Sequence, residues 1–526
     1  MGISARHAAL AAGLVAAAVA APSIRNGFVA DDRWVIAERP LLQHPPSVAA
    51  VLREPYWPAT FGGALWRPAV LAAYALDYRL GGSPHWFHAV NVCWAGLAAA
   101  LLTLLACRLS DPTTGLVAGL LFAVHPVHVE AVANVVGRAE LMAAAGYATA
   151  LLCALRAERQ RAYLIGVALA AAFAIASKEL AATLPAAVLL VYVGRPAGVR
   201  AGVRAALLPA AVAVVPIVGY YVLHAWVGAG ILSAGGTAAG LERLGLVQRA
   251  WAMLPLSLEW WRLLLFPAHL SADYSPGGLV VSTDLTPAHI LGALVWAFAG
   301  WVAWRWRRTV PGIALGLAWM IITVSPVANI VVPTELLVAE RTLYLPSFGI
   351  AFALASGGMA VPWPQRRRIA VLIVVLLLGA ARSVARVTVW HDDETLFQAL
   401  KRDAPRSYRT VWMVGKDEFQ AGRWGSGEQL LREAIALAPA IAGPRFDLAR
   451  FYWQAGLWQA AARELQAATA VDSDFGAAWT LLPRALLAAG DTAGAVSAAR
   501  VALRRFPGEP DVVESATEVL GAARRP

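Results

Sequence analysis

Lysine is nearly missing from this sequence. Only Lys178, Lys401 and Lys416 occur among 526 residues, so almost every cation is an arginine. Cysteine is as scarce: Cys93, Cys107 and Cys153 all fall inside apolar runs, which excludes a disulfide framework and offers no metal cluster. Charge of either sign is thin, 15% of residues against 59% hydrophobic, with a mean hydropathy of +0.59. A soluble domain of this size cannot bury that much apolar surface. The net charge is +11, yet the arginines stand in short clusters between apolar stretches, the pattern of the positive-inside rule rather than of a nucleic-acid-binding face. The composition reads as a polytopic, all-α membrane protein, and its richness in Ala and Arg as the product of a GC-rich bacterial genome.

Apolar runs of spanning length are expected first at Ala8–Ala21, read as a retained signal anchor rather than a cleaved signal peptide despite Ala18-Val19-Ala20. Others follow at 86–107, 112–126, 139–155, 162–176, 180–194, 205–226, 288–304, 311–328, 343–360 and 369–387, eleven crossings in all. Residues 25–85 form an outer loop with an interfacial helix over Pro68–Leu80, and 251–266 reads as interfacial or re-entrant. Arg6, Arg108, Arg156, Arg159, Arg161, Arg195, Arg200, Arg204 and Arg366 to Arg368 share one side, the cytoplasm, with the N-terminus. Everything after Trp390 is then outside.

Residues 391–526 change character. Ala421-Gly422, Ala455-Gly456 and Ala489-Gly490 recur every 34 residues, as do Ala434, Ala468 and Ala502. That period, with a small residue and Gly at the helix–helix turn, is the tetratricopeptide signature. About three such repeats predict a short α-solenoid following a membrane domain of residues 1–390.

Charged residues at span ends are costly near hydrocarbon and so mark function. Asp31 and Asp32 follow the first span; the alternative is a pair of solvated loop charges capping the next helix. His125, His128 and Glu130, then Arg138 and Glu140, follow the third apolar run. A metal site there is a weak reading, because no third strong ligand lies at helical spacing and Pro126 interrupts the turn; contact with an anionic headgroup is the other. Lys178-Glu179 reads equally as an intramembrane ion pair or a phosphate site. Arg341, flanked by Glu335, Glu340 and Tyr344, could meet a phosphate bidentately or snorkel to the interface. A shared polar cavity taking a lipid phosphate explains the four groups together.

These residues carry a resemblance. Val29-Ala30-Asp31-Asp32, Asp77-Tyr78 to Gly81 with His88 to Val92, and FAVHPVHVEAVANVVGRAE from Phe122 to Glu140 resemble the transmembrane and tetratricopeptide-repeat-containing family, TMTC. Lys178-Glu179, Asp273-Tyr274-Ser275 and VAERTLYLPS from Val338 to Ser347 continue it in family order. The membrane half of that family resembles C-type (GT-C) integral-membrane glycosyltransferases. The resemblance implies transfer of mannose or a related sugar from a polyprenyl phosphate to hydroxyl groups of extracytoplasmic protein, without a metal or other cofactor. It implies Asp31 as general base with Asp32 as runner-up, and Arg341 at the donor phosphate, helped by His125, His128, Arg138 or Lys178. Glu130, Glu140, Glu179, Glu340 and Tyr344 would support them. It places the repeats against the acceptor polypeptide; the composition, in a departure from the better-known animal members, places the chain in a bacterial inner membrane. A non-enzymatic scaffold and a ligase handling lipid-linked glycans are the alternative readings.

Overall fold

The computed structural model describes residues 3–45, 47–58, 65–195, 198–226 and 237–523, and among these it is helical throughout, without strands. Seven helices are long and apolar enough to cross a membrane: Ala5–Arg25, Pro84–Leu109, Val135–Ala157, Val199–Trp226, Pro287–Trp306, Glu340–Ala360 and Gln365–Trp390. Pro112–Ala123 and Pro126–Ala133 together make an eighth, bent by 54°. The bend falls at His125-Pro126, where proline removes a helical donor. Tyr163–Ser177, Glu179–Val193 and Pro311–Val327 are apolar but shorter. Every expected span thus has a helix, while seven or eight, rather than eleven, have full crossing length. Of residues 251–266, all but the C-cap Phe266 lie in Leu246–Leu265, a helix outside that set. Residues 228–236 lie outside the described residues. The helix expected over Pro68–Leu80 forms with those bounds, with Pro at its first turn where the missing N–H costs nothing.

Small residues let the spans approach closely. A Cβ on Gly13 would lie 2.8 Å from the carbonyl oxygen of Gly96, so Ala5–Ala20 sits directly on Pro84–Leu109. The resulting core is largely alanine, with Phe122, Tyr147, Trp319, Tyr344 and Phe348 filling the wider gaps.

Beyond Trp390 come Asp393–Asp403 and three antiparallel pairs: Tyr408–Gln420 with Trp424–Leu437, Ala442–Gln454 with Trp458–Val471, and Gly476–Ala488 with Thr492–Arg505. Pro510–Ala522 closes the stack. Gly422, Gly456 and Gly490 adopt φ of +76°, +73° and +86°, the left-handed residue that ends a helix and is cheapest as glycine. Ala434, Ala468 and Ala502 are fully buried between the helices of each pair. The periodicity therefore reports a repeated backbone turn and a repeated close contact.

A seam joins repeats and membrane half. Ser407 caps Tyr408–Gln420 and donates its hydroxyl to Asp273; the other carboxylate oxygen of Asp273 accepts from Ser275 Oγ at 2.5 Å. Tyr408 N donates to Pro276 O at 2.9 Å. At Gly277, φ +95°, a Cβ would stand 2.0 Å from Arg406 O, so only glycine permits this approach.

Candidate active site

A cavity of about 480 Å³ opens where the loop after the first span meets the ends of several others. Its charged lining is Asp31, Arg67, Glu140, Lys178, Glu179, Glu335 and Arg341; Leu65, Val136, Leu180, Trp260, Val327 and Leu337 supply apolar wall. A pocket with an apolar flank and a few convergent charges suits an amphiphilic ligand.

The two adjacent carboxylates part company. Ala30 is held at φ +46°, an uncommon conformation for a residue with a Cβ and one that a surrounding framework must impose. Its N–H donates to Asp393 Oδ1 at 2.9 Å, and Asp393 pairs with Arg33 at 2.5 Å. This turn sends Asp31 into the cavity and Asp32 into the protein. Asp31 stands 3.7 Å from Arg341, its side chain 33% exposed. Asp32 is fully buried and accepts from the backbone N–H groups of Val136 at 2.8 Å, Val135 at 3.1 Å and Val29 at 3.4 Å. Burial pushes its carboxyl up to about 7 against those donors. Asp32 ties the 29–32 turn to the 135–136 segment and does not line the cavity, which corrects its reading as a candidate base.

Three cations converge. Arg341 also meets Glu130, side chain to Oε1 at 3.3 Å and backbone N to Oε2 at 2.9 Å, so Glu130 stands behind it as a holder. Lys178 pairs with Glu140. Arg67 grips Glu179 with Nε at 3.1 Å and Nη2 at 2.9 Å and lies over the Tyr56 ring, 4.7 Å from its centroid. Lys178 and Glu179, neighbours in sequence, thus take different partners.

Other expected contributors are directed elsewhere. Arg138 is fully buried, paired with Asp77, and donates to Asn91 Oδ1 at 2.7 Å and Phe87 O at 2.9 Å; it braces the bundle and cannot reach the cavity. His128 Nε2 lies 2.7 Å from Ser347 Oγ, and His125 Nε2 lies 3.1 Å from Leu264 O. Both line a separate small void with Tyr344, whose ring packs on His128 at 4.5 Å. Glu340 accepts from Ser271 N and Tyr274 Oη, each at 2.6 Å. The phosphate readings of His125, His128 and Arg138 are thereby corrected, and Glu340 and Tyr344, expected as supports of Arg341, turn to Ser271 and Tyr274 and to His128 instead. Among the described residues no group of three or more His, Cys, Asp or Glu could hold a metal ion.

Sequence reasoning missed Arg67. It sits just before Pro68, where the only local signal was an arginine at a helix start, and its partner Glu179 is 112 residues away.

Known proteins place this geometry. The model for dolichyl-phosphate-mannose-protein mannosyltransferases matches residues 68–224, and one for the tetratricopeptide repeat matches 418–484. Mouse protein O-mannosyl-transferase TMTC4 is 27% identical over 484 residues, 79% of this chain and 64% of that protein. Protein O-mannosyl-transferase Tmtc1 of Drosophila melanogaster is 26% identical over 525 residues, 81% of this chain and 61% of that protein. The chain therefore spans a little under two thirds of the length of these relatives. Among solved structures, archaeal oligosaccharyltransferase AglB from Archaeoglobus fulgidus is similar at a TM-score of 0.41 and 14% identity, over 72% of this chain and 56% of that one. The resemblance drawn from the motifs holds: over most of its length this chain is similar to the TMTC protein O-mannosyl-transferases, and a tetratricopeptide-repeat match follows the mannosyltransferase match in its apolar half.

Proposed function

We propose that this protein transfers a sugar, mannose as the first candidate, from a polyprenyl-phosphate donor to hydroxyl groups of extracytoplasmic protein, with inversion. The observation that carries this reading is the facing of Asp31 and Arg341 across one cavity that also holds Lys178 and Arg67. Asp31 takes the proton of the acceptor hydroxyl as its oxygen attacks the anomeric carbon. The bond from that carbon to the phosphate oxygen breaks, and its electron pair leaves with the lipid phosphate. Arg341, with Lys178 and Arg67, faces the charge that develops there, and the apolar wall accommodates the first isoprene units. Phosphate neutralisation is assigned to side chains.

The relatives' names supply the sugar and the acceptor class; the Ala- and Arg-rich composition supports a bacterial inner membrane, and the arginine asymmetry an orientation with the N-terminus cytoplasmic and cavity and repeats outside. The test is transfer of radiolabelled mannose from polyprenyl-phosphate mannose to protein, in membranes carrying wild type, Asp31→Asn or Asp32→Asn. Loss of a positioned base costs about 10²–10⁴ in rate, so Asp31→Asn should fall by at least about 100-fold while remaining folded. Full transfer by Asp31→Asn would overturn the assignment. A wild type inactive with every polyprenyl-phosphate sugar would favour the scaffold reading.

A further inference from the structure

The 34-residue period carries a chemistry of its own. At equivalent positions of the first helix in each repeat stand Lys416, Arg450 and Arg484. Their side chains are 37%, 42% and 38% exposed, nearly the same at all three rungs. One turn earlier, on the same helix face, the first two repeats place half-buried Trp412 and Phe446. The corresponding run on the second helices is Arg432, Gln466 and Arg500, so the unbroken cationic ladder belongs to the first helices alone.

The ladder is held from beneath. Asp447, almost wholly buried, accepts from Trp412 Nε1 at 2.9 Å and pairs with Lys416 at 3.1 Å and Arg450 at 3.3 Å. One carboxylate orders two cations and an indole yet cancels only one charge. Arg484 pairs with the outlying Glu518, whose side chain is mostly exposed. A pair so exposed is weak and exchanges readily for a carboxylate that arrives with more contacts, while Asp447 leaves Lys416 and Arg450 one uncancelled charge between them.

We propose that Lys416, Arg450 and Arg484, with Trp412 and Phe446, form a docking strip for an extended, carboxylate-rich segment of the acceptor polypeptide. Stacked repeats present their first helices side by side, and neighbouring helices pack on the order of 10 Å apart. Three rungs then span roughly 20 Å, about six residues of a polyproline II chain at ~3.1 Å each, whose three-residue turn puts every third side chain on one face, so acidic residues at every third position fit the ladder. The aromatic between rungs takes an apolar side chain. Calling that segment part of the acceptor rests on the proposed transferase activity.

Two measurements separate the claims. In the first, fluorescence anisotropy follows a labelled extended peptide with Glu at every third position, and its Gln counterpart, binding to the full chain in detergent. The Glu peptide should bind about tenfold tighter than the Gln peptide, the sum of a few weak pairs, and lose that advantage at high salt. The triple Lys416→Ala, Arg450→Ala, Arg484→Ala variant should lose it too. The reversed triple Lys416→Glu, Arg450→Glu, Arg484→Glu should prefer a Lys peptide, which a merely unfolded repeat cannot do. Equal binding of Glu and Gln peptides, or no change in preference on reversal, overturns the strip. In the second, transfer to a serine peptide is compared with and without the acidic flank. A KM about tenfold lower with the flank, and kcat unchanged, supports the strip; equal KM for both overturns it while leaving the transferase intact. Selective binding with no transfer in any condition keeps the strip and removes the transferase.

Discussion

Arg138 and Arg341 open comparable helices, and each is paired with carboxylate. Arg138 is sealed: Asp77, Asn91 and the Phe87 carbonyl occupy its donors, and Tyr74 and Phe87 lie 4.9 Å and 5.5 Å from it. Arg341 is open, its side chain 23% exposed, with looser contacts of 3.7 Å and 3.3 Å to Asp31 and Glu130. The difference is whether any donor remains for a ligand. A satisfied buried pair specifies structure, because removing one partner strands the other in low dielectric. A partly satisfied pair at a cavity wall keeps its capacity for chemistry.

The widest separation should come from Arg341→Met. Transfer should fall by about 100- to 1000-fold, as for loss of one electrostatic stabiliser, while the melting temperature in detergent falls less than in Arg138→Met, because Glu130 keeps the backbone N–H of residue 341 as a partner. A loss of stability as large as that of activity would place Arg341 with the sealed arginines. Arg138→Met should do the reverse, destabilising by about 3–5 kcal/mol because Asp77 is left buried and unpaired. Adding Asp77→Leu should recover much of that stability, and thermal unfolding of the single and double variants would show it.

A third contrast lies within the acidic pair. The Asp32 carboxyl titrates near 7 in the folded protein, above the usual carboxylate range. The folded state therefore holds this proton more tightly than the unfolded chain. The Asp32 contribution to stability should be greatest below about pH 4, decline as pH rises towards about 7, and stay flat above; that decline is at most about 4 kcal/mol. Thermal unfolding of wild type against Asp32→Asn checks it, since the variant should lose that component of the slope. The smallest effect belongs to Ala30→Gly. It relieves a left-handed alanine worth about 1 kcal/mol, but frees the turn that aims Asp31, so turnover should drop a few-fold without loss of stability. Unchanged turnover would show that Asp393 and Asp32 aim Asp31 unaided.

Much of the architecture was written in local pattern. The 34-residue period, the interfacial helix at Pro68 and the positions of the apolar segments need only nearest-neighbour physics, and the helices stand where expected. Crossing length was not so legible. Tyr163–Ser177 has 15 residues, because span ends convert to 3₁₀ turns where polar residues must bend toward the cavity. The site was half legible: residue type and position near span ends found Asp31, Lys178 and Arg341, but direction is a tertiary property. His125 and His128 have the same types and spacing whether they face the cavity or, as here, Leu264 and Ser347. Arg67 was invisible because its meaning depends on Glu179, distant in the chain and adjacent only after folding.

The Asp273–Ser407 seam has a thermodynamic corollary. Ser271 and Tyr274, flanking Asp273, hold Glu340, the residue beside Arg341, so a tilt of the first repeat displaces the same short loop that abuts the arginine. Two ligands that each perturb this loop are energetically linked, and linkage is reciprocal. Whatever factor an occupied repeat surface applies to affinity in the cavity, an occupied cavity must apply to affinity at the repeats. Saturating the cavity would then shift the affinity of the repeats for a polypeptide by that same factor.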